Sequence, residues 1–308
     1  MGAGHDHGVR PGRAGERHKH RLFAALLLLT VFMAVEAAAA LWTGSLALLS
    51  DAGHMFTDVL GIGMALAAIQ AASASSRRGG ATQRTFGLYR LEVLAALANA
   101  VLLFAVAGYV LYEAAQRIGD PPEVLAGPML AVAVAGLAAN LVAFGLLRGG
   151  AKESLNVRGA YLEVLADLLG SVGVIVAAAV IWLTGWQYAD PLVAVAVGLS
   201  ILPRTWRLAG AAVRILVQAA PKHLDVTAIE GELLAVRGVV EVHDLHVWTL
   251  TSGMEVASAH LTVAPGTTNR EVLTAARSAL QGEYGIDHAT LQIEPADAGA
   301  ACCEDVGW

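Results

Sequence analysis

The sequence predicts a mostly helical membrane protein: six transmembrane helices followed by a small cytoplasmic α+β domain of order αββαβ. Three observations predict it. Hydrophobic residues make up 56% of the 308 and charged residues only 15%, with a mean hydropathy of +0.59. That is far from the composition of a soluble domain. Apolar runs of helical length recur about six times before residue 217. Beyond Pro221 the texture becomes that of a soluble domain, with capping residues, β-branched runs and a turn signal.

The apolar runs follow in order. The segment 1–21 is hydrophilic, and the first run, Leu22 to about Trp42, shows no cleavage site, so it reads as a retained helix rather than a signal peptide. The second covers about Ser45 to Ala72, the third Leu88 to Ala115 and the fourth Val124 to Leu147. The fifth covers about Ala160 to Leu183 and the sixth Pro191 to about Leu216, completing a membrane domain over 22–216. Several runs exceed the ~20 residues a bilayer needs, an excess that tilt absorbs.

Arginine and lysine orient the bundle. Arg10, Arg13, Arg17, Lys19 and Arg21 precede the first span, and Arg77, Arg78, Arg84 and Arg90 separate the second from the third. Arg148, Lys152 and Arg158 separate the fourth from the fifth, while Arg204, Arg207 and Arg214 mark the end of the sixth. The alternate loops at 43–44, 119–123 and 185–190 carry neither residue type. The positive-inside rule then puts both termini in the cytoplasm, as an even number of spans requires.

In the domain spanning 217–295, Asp225 caps a helix through about Val236. The β-branched runs Val239–Leu250 and Met254–Val263 flank Ser252–Gly253, a tight-turn pair. Thr268 or Asn269 caps a second helix to about Gln281, and Thr290–Glu294 reads as a last strand. Two helices on one face of a three-stranded sheet satisfy this order. A domain this small gains from dimerisation, so a homodimer is expected. The remaining segment, 296–308, is a tail with adjacent Cys302 and Cys303. Vicinal thiols with no second pair imply no disulfide framework; they could bind soft metal or do nothing specific.

Two pairs of ionisable residues interrupt the apolar runs: His54 with Asp58 in the second span, and Glu163 with Asp167 in the fifth. Spaced i, i+4, the members of each pair project from one helix face. Charge inside a bilayer is costly and by default marks function. Two carboxylates one turn apart repel unless a cation or a proton sits between them. Together the pairs offer one imidazole and three carboxylates, a full shell for a tetrahedral divalent metal, Zn²⁺ first. Asp51, three residues before His54, is either a supporting group or a helix-end residue near water. Glu36, Asn99 and Asn140 are intramembrane polar residues that either line a path or tie helices together. Gly170 and Gly173 admit a close helix neighbour.

Other classes are disfavoured. A formal charge of −6 argues against nucleic acid. No Gly-x-x-x-x-Gly-Lys-Ser/Thr loop is present for ATP, and no His-Glu-x-x-His motif for a membrane metalloenzyme. An enzyme is therefore not expected. A non-transporting metal sensor stays open as an alternative class.

Four motifs carry a resemblance over about Leu22 to Glu294. They are Ser45-Leu-Ala-Leu-Leu-Ser-Asp-Ala-Gly-His-Met-Phe-Thr-Asp58, Thr85-Phe-Gly-Leu-Tyr-Arg-Leu-Glu92, Asp167-Leu-Leu-Gly-Ser-Val-Gly173 and Val242-His-Asp-Leu-His-Val-Trp248. With these the chain resembles the cation diffusion facilitator family, and within it the bacterial zinc/cobalt/cadmium exporters. The resemblance implies a Y-shaped homodimer in the bacterial inner membrane, a ferredoxin-like cytoplasmic domain, and export of metal in exchange for protons. The chain departs from the zinc-type pattern at Glu163, where those members usually carry His. One imidazole and three carboxylates leave a formal −1 around a divalent ion, so Glu163 either keeps a proton or favours Co²⁺, Fe²⁺ or Mn²⁺.

A second metal cluster is expected in the cytoplasmic domain. If Ser252–Gly253 is a two-residue turn, Leu245 pairs with His260 and His243 falls diagonally beside them on the same face. Glu294 from the last strand is a third ligand. The resemblance implies metal binding at matching positions, one of which is Gln292, a poor ligand. His223, His246 and His288 read as solvated surface histidines before they read as ligands. His5, His7, His18 and His20 form a His-containing tail, either a transient metal trap or a solvated end. No acidic or His cluster follows the second span, so no further metal site is expected there.

Overall fold

The structure, a computed structural model, describes residues 13–57, 59–60, 64, 86–148, 155–251 and 253–296, the side chains of 13–23, 25, 147 and 155–163 excepted. It divides into two compact units, one built from 1–63 and 98–207, the other from 64–97 and 208–308.

The first unit is helical. Helix α1 runs Arg13–Thr43, and α2 is described over 46–57 and 59–60. Helices α3 (Arg90–Gln116), α4 (Ala126–Arg148), α5 (Leu155–Thr184) and α6 (Ala189–Leu216) follow, α3 and α6 each contributing one end to the other unit. Helix α1 starts ahead of the apolar run because the charged stretch after Gly12 contains no helix breaker other than Gly15. Five described segments are long and apolar enough to cross a membrane: Leu26–Thr43, Arg90–Gln116, Ala126–Leu146, Val164–Thr184 and Ala189–Leu216. Of the expected second span, 45–72, only the first turns and Met64 are described.

Polarity in this unit is inverted relative to a soluble protein. On α5, Leu169 is 72% exposed while Asp167, two residues earlier, is 5% exposed. Glu36, Asp51, His54, Asn140 and Asp190 are likewise buried, while Leu41, Trp182 and Leu183 face outward. Helices expose apolar and bury polar side chains in this way where the surroundings are hydrocarbon. Small residues bring the helices together. A Cβ on Gly136 of α4 would lie 2.7 Å from Phe32 Cζ of α1, and one on Gly53 of α2 would lie 2.8 Å from Val106 Cγ1 of α3. Gly173 of α5 faces Val193 of α6, and Gly170 of α5 faces Asp51 of α2.

The second unit contains the αββαβ domain: α7 (Val226–Leu234), β1 (Val239–Thr251), β2 (Met254–Val263), α8 (Asn269–Tyr284) and β3 (His288–Pro295). Asp225 caps α7 by accepting the N–H groups of Thr227 and Ala228. Strand order is β1-β2-β3, with β1 antiparallel and β3 parallel to β2. Ala257, Ala259, Leu261 and Val263 of β2 join Ile229 and Leu233 of α7 and Val272, Ala276 and Leu280 of α8 in one core. By the two-residue period of a strand, His260 and Ser258 belong to the opposite face of the sheet. Thr251 lies at the end of β1 yet is buried; its hydroxyl donates to Glu92 Oε2 of α3 at 3.0 Å.

The hairpin corrects one expectation. Thr251 pairs with Met254 as a two-residue turn requires, but His260 pairs with His243, not with Leu245. Register shifts between His243 and His246 and between Thr249 and Thr251 account for the difference. Asp244, at φ +50°, lies in the first of these irregular stretches, in a conformation Asp tolerates better than most residues. Two bulges on one strand slide the pairing by two residues, which preserves the face and converts a diagonal pair of histidines into a direct one.

Candidate metal centres

In the helical unit, α2 and α5 present their polar faces to each other. His54 Nε2 lies 3.6 Å from Asp167 Oδ1, both side chains buried. Two donors of a tetrahedral Zn²⁺ shell stand about 3.4 Å apart, given metal–ligand bonds of ~2.0–2.2 Å. The pair is therefore spaced to face one ion. Asp58, one helical turn beyond His54 in sequence, lies outside the described residues. Glu163 lies on α5 one turn before Asp167, its side chain outside them as well.

Asp51 is 2% exposed, and its Oδ1 would stand 3.1 Å from a Cβ on Gly170, three residues past Asp167. Glu36 of α1, also 2% exposed, is close enough to Asp51 for the two carboxyls to interact electrostatically. Asp51 is thus an interior group beside the His54–Asp167 pair and not a solvated helix-end residue. Asn140 of α4 donates through Nδ2 to Ser171 Oγ of α5 at 3.1 Å, fully buried, which ties two helices one turn from Asp167.

Gly170→Ala tests this packing. Its methyl would meet Asp51 Oδ1 at 3.1 Å, so the carboxylate must give by a few tenths of an ångström, and overpacking costs roughly 1–3 kcal/mol where the neighbour cannot yield. The expected result is a lower thermal unfolding midpoint of the purified protein. The measurement is thermal unfolding in detergent, with Gly210→Ala, which meets open space, as control.

The second cluster lies on the sheet face opposite α7 and α8. His243 Nε2 is 3.3 Å from Glu294 Oε2, and His260 Nδ1 is 3.0 Å from Glu294 Oε1. One ligand atom from each residue lies within 4.8 Å of the others, and the two imidazoles stand edge to face at 5.2 Å between ring centres. Two imidazole nitrogens and a carboxylate suit Zn²⁺ or a similar transition metal, with a fourth position left over. Gln292, register partner of His260, is not idle: its amide donates to Glu294 Oε1 at 2.7 Å, orienting the carboxylate.

Among the described residues, the weaker sequence candidates do not join either cluster. His223, 65% exposed at its side chain, stands 3.8 Å from Glu255; His246 and His288 are exposed. Cys302 and Cys303, and the side chains of the N-terminal histidines, lie outside the described residues.

A third constellation escaped the sequence reading. Asp190, at the start of α6, is fully buried and accepts from Ser45 Oγ at 2.5 Å, Leu46 N at 2.7 Å and Ala47 N at 3.1 Å. Arg117 Nη1 stands 3.6 Å from the same carboxylate and donates to Gly44 O at 2.8 Å. The Asp190-Pro191 step at the head of an apolar run was a visible signal, but its hydrogen-bond partners lie more than 140 residues away. Arg117 adjoins one of the loops taken to be free of basic residues, and Asp190 and Glu113 compensate its charge.

Two family profiles tile this chain: the cation efflux transmembrane domain over residues 22–217 and the cation efflux protein cytoplasmic domain over 221–296. The chain belongs to the cation diffusion facilitator family. Among the similar proteins of this family is the metal cation efflux system protein CzcD of Cupriavidus metallidurans, 44% identical over 298 residues, 96% of this chain and 90% of that one. The cadmium, cobalt and zinc/H⁺-K⁺ antiporter of Bacillus velezensis is 39% identical over 300 residues, 96% of this chain and 93% of that protein. The zinc transporter ZitB of Escherichia coli K12 is 41% identical over 281 residues, 91% and 88% of the two chains. This cation diffusion facilitator is thus an integral membrane protein with a cytoplasmic domain of the family's dimerising type.

Proposed function

We propose that this facilitator exports divalent metal from the cytoplasm in exchange for protons, Zn²⁺ foremost and Co²⁺ and Cd²⁺ also. The proposed site is His54, Asp58, Glu163 and Asp167. The observation that carries the reading is the buried approach of His54 Nε2 to Asp167 Oδ1, 3.6 Å apart inside an apolar bundle. The names of the relatives, which include zinc, cobalt and cadmium efflux and a proton antiporter, support it.

The cycle follows from competition for the same lone pairs. Ligands must lose their protons to coordinate metal. Facing a neutral cytoplasm the site binds metal; facing a more acidic exterior it takes up protons and metal leaves. The arginine distribution supports both termini in the cytoplasm, and the bacterial relatives support the inner membrane as the location. No catalytic residue is assigned. Glu163 favours a second substrate reading, Mn²⁺ or Fe²⁺, because a third carboxylate hardens the donor set.

Proteoliposomes loaded with a metal-sensitive dye test the proposal. The expected result is Zn²⁺ flux driven by an imposed pH gradient. Zn²⁺ binding without flux under that gradient would replace transport by a sensor, and turnover of a hydrolysable substrate would replace it by an enzyme.

The cytoplasmic cluster of His243, His260 and Glu294 is assigned a regulatory ion, a sensor or dimer clamp off the transport path. His260→Ala should lower bound Zn²⁺ by one per protomer in metal analysis of the purified protein. His54→Ala should remove another, and the double variant both. An unchanged metal content in His260→Ala removes the cytoplasmic assignment.

A further inference from the structure

We infer that Asp190 is a positioning residue for transport: from α6 it fixes the height and rotation of α2, and so the placement of His54. The inference rests on the assignment of His54 to the transport site.

An uncapped helix leaves its first N–H groups without partners. At the start of α2 three such groups are satisfied. Ser45 Oγ accepts the Leu48 N–H at 3.1 Å, as an N-cap serine does. The carboxylate of Asp190 accepts the N–H groups of Leu46 and Ala47, and the Ser45 hydroxyl donates to it. One rigid planar group thus binds the N-cap and the first two residues of α2 from outside the helix. Contacts to consecutive residues, which point about 100° apart around the axis, restrict rotation as well as height.

The charges support the same role. Asp190 is fully buried, so its anion needs compensation. Compensation comes from the Arg117 guanidinium and from the positive end of the α2 dipole. Arg117 is shared with Glu113, and through Gly44 O it also holds the turn that joins α1 to α2. That turn needs Gly44 at φ +73°. Removing the carboxylate therefore frees the start of α2 from α6 and leaves Arg117 short of a partner.

His54 stands nine residues beyond Ser45, about 13 Å along a helix axis. Between them Leu46, Ala47, Leu48 and Ala52 are buried in the core. The segment transmits the position of its first turn to the ligand as a rigid rod. A shift of one residue at the cap would move His54 by ~1.5 Å and turn it by ~100°, out of reach of Asp167. Packing of Gly53 on Val106 of α3 resists sideways motion but does not set height.

The experiment uses the full-length chain in proteoliposomes with Zn²⁺, comparing Asp190→Asn, Asp190→Glu and wild type. Asparagine puts an amide donor where the carboxylate accepted, against an N–H or the guanidinium. Asp190→Asn should raise the KM for Zn²⁺ about tenfold while maximal flux per folded protomer stays within about twofold, as for a loss of ~1.4 kcal/mol of site placement. Asp190→Glu, which keeps the anion, should recover most of that loss. Backbone amide exchange over 46–54 should quicken in Asp190→Asn and not in Asp190→Glu. If Asp190→Asn does not accumulate, Ser45→Ala, which removes one of the bonds, carries the same test with a smaller KM shift. A KM unchanged in the folded fraction, or Glu recovering no better than Asn, overturns the inference. Absence of flux in wild type would instead sink the transport reading on which it rests.

Discussion

Asp167→Asn should lower Zn²⁺ flux at limiting metal by at least about 100-fold. Loss of a group that merely supports a ligand costs 10–100-fold in metal affinity, so loss of a proposed ligand should cost no less. The substitution is nearly isosteric. It removes a charge facing His54 at 3.6 Å and leaves Ser171, Asn140 and the α4–α5 contact in place. Folding should therefore survive better than transport, and the two are separated by comparing the amount of dimer with flux per dimer. Removing one member of a buried polar cluster can instead strand its partner. A bundle that unfolds in Asp167→Asn but retains flux in its folded fraction would make Asp167 a structural partner of His54. His54→Gln should lower flux comparably.

Glu163→His should shift the preference between Zn²⁺ and Mn²⁺ toward Zn²⁺ by about tenfold, because imidazole suits Zn²⁺ and carboxylate suits Mn²⁺. It should also steepen the loss of transport on acidification. An imidazole titrates near pH ~6.5 and a carboxyl near ~4.3 in the absence of other influences. Between pH 7.5 and 6 on the metal-binding side, a site with two imidazoles therefore loses more metal to protons than a site with one. Flux ratios for the two metals at both pH values, in wild type and variant, measure both effects. Unchanged selectivity together with an unchanged pH profile would remove Glu163 from the site.

Much of this was legible in the sequence because it depends on local physics. Apolar runs of bilayer length, the Asp225 cap, the β-branched runs about Ser252–Gly253 and the i, i+4 ionisable pairs are short-range patterns read directly along the chain. The two histidines and the carboxylate of the small domain were legible as one face of a sheet. Their pairing was not, because bulges depend on backbone conformation at Asp244 and near Leu250, which no alternation pattern encodes. Gln292 was read for what it lacks as a ligand; its bond to Glu294 shows what it contributes instead.

The sequence by itself determined what this protein is built to handle. An imidazole and carboxylates placed one turn apart in apolar helices are affordable only with a cation or protons to balance them. Tertiary structure decided which of those groups meet. His54 and Asp167 are more than 100 residues apart, and a glycine at 170 lets the Asp51 carboxylate close to α5. Asp190 reached Ser45, Leu46 and Ala47 across a similar gap. Long-range contacts of this kind depend on helix register and crossing distance, which are set by packing between helices and leave no periodic trace in either helix alone.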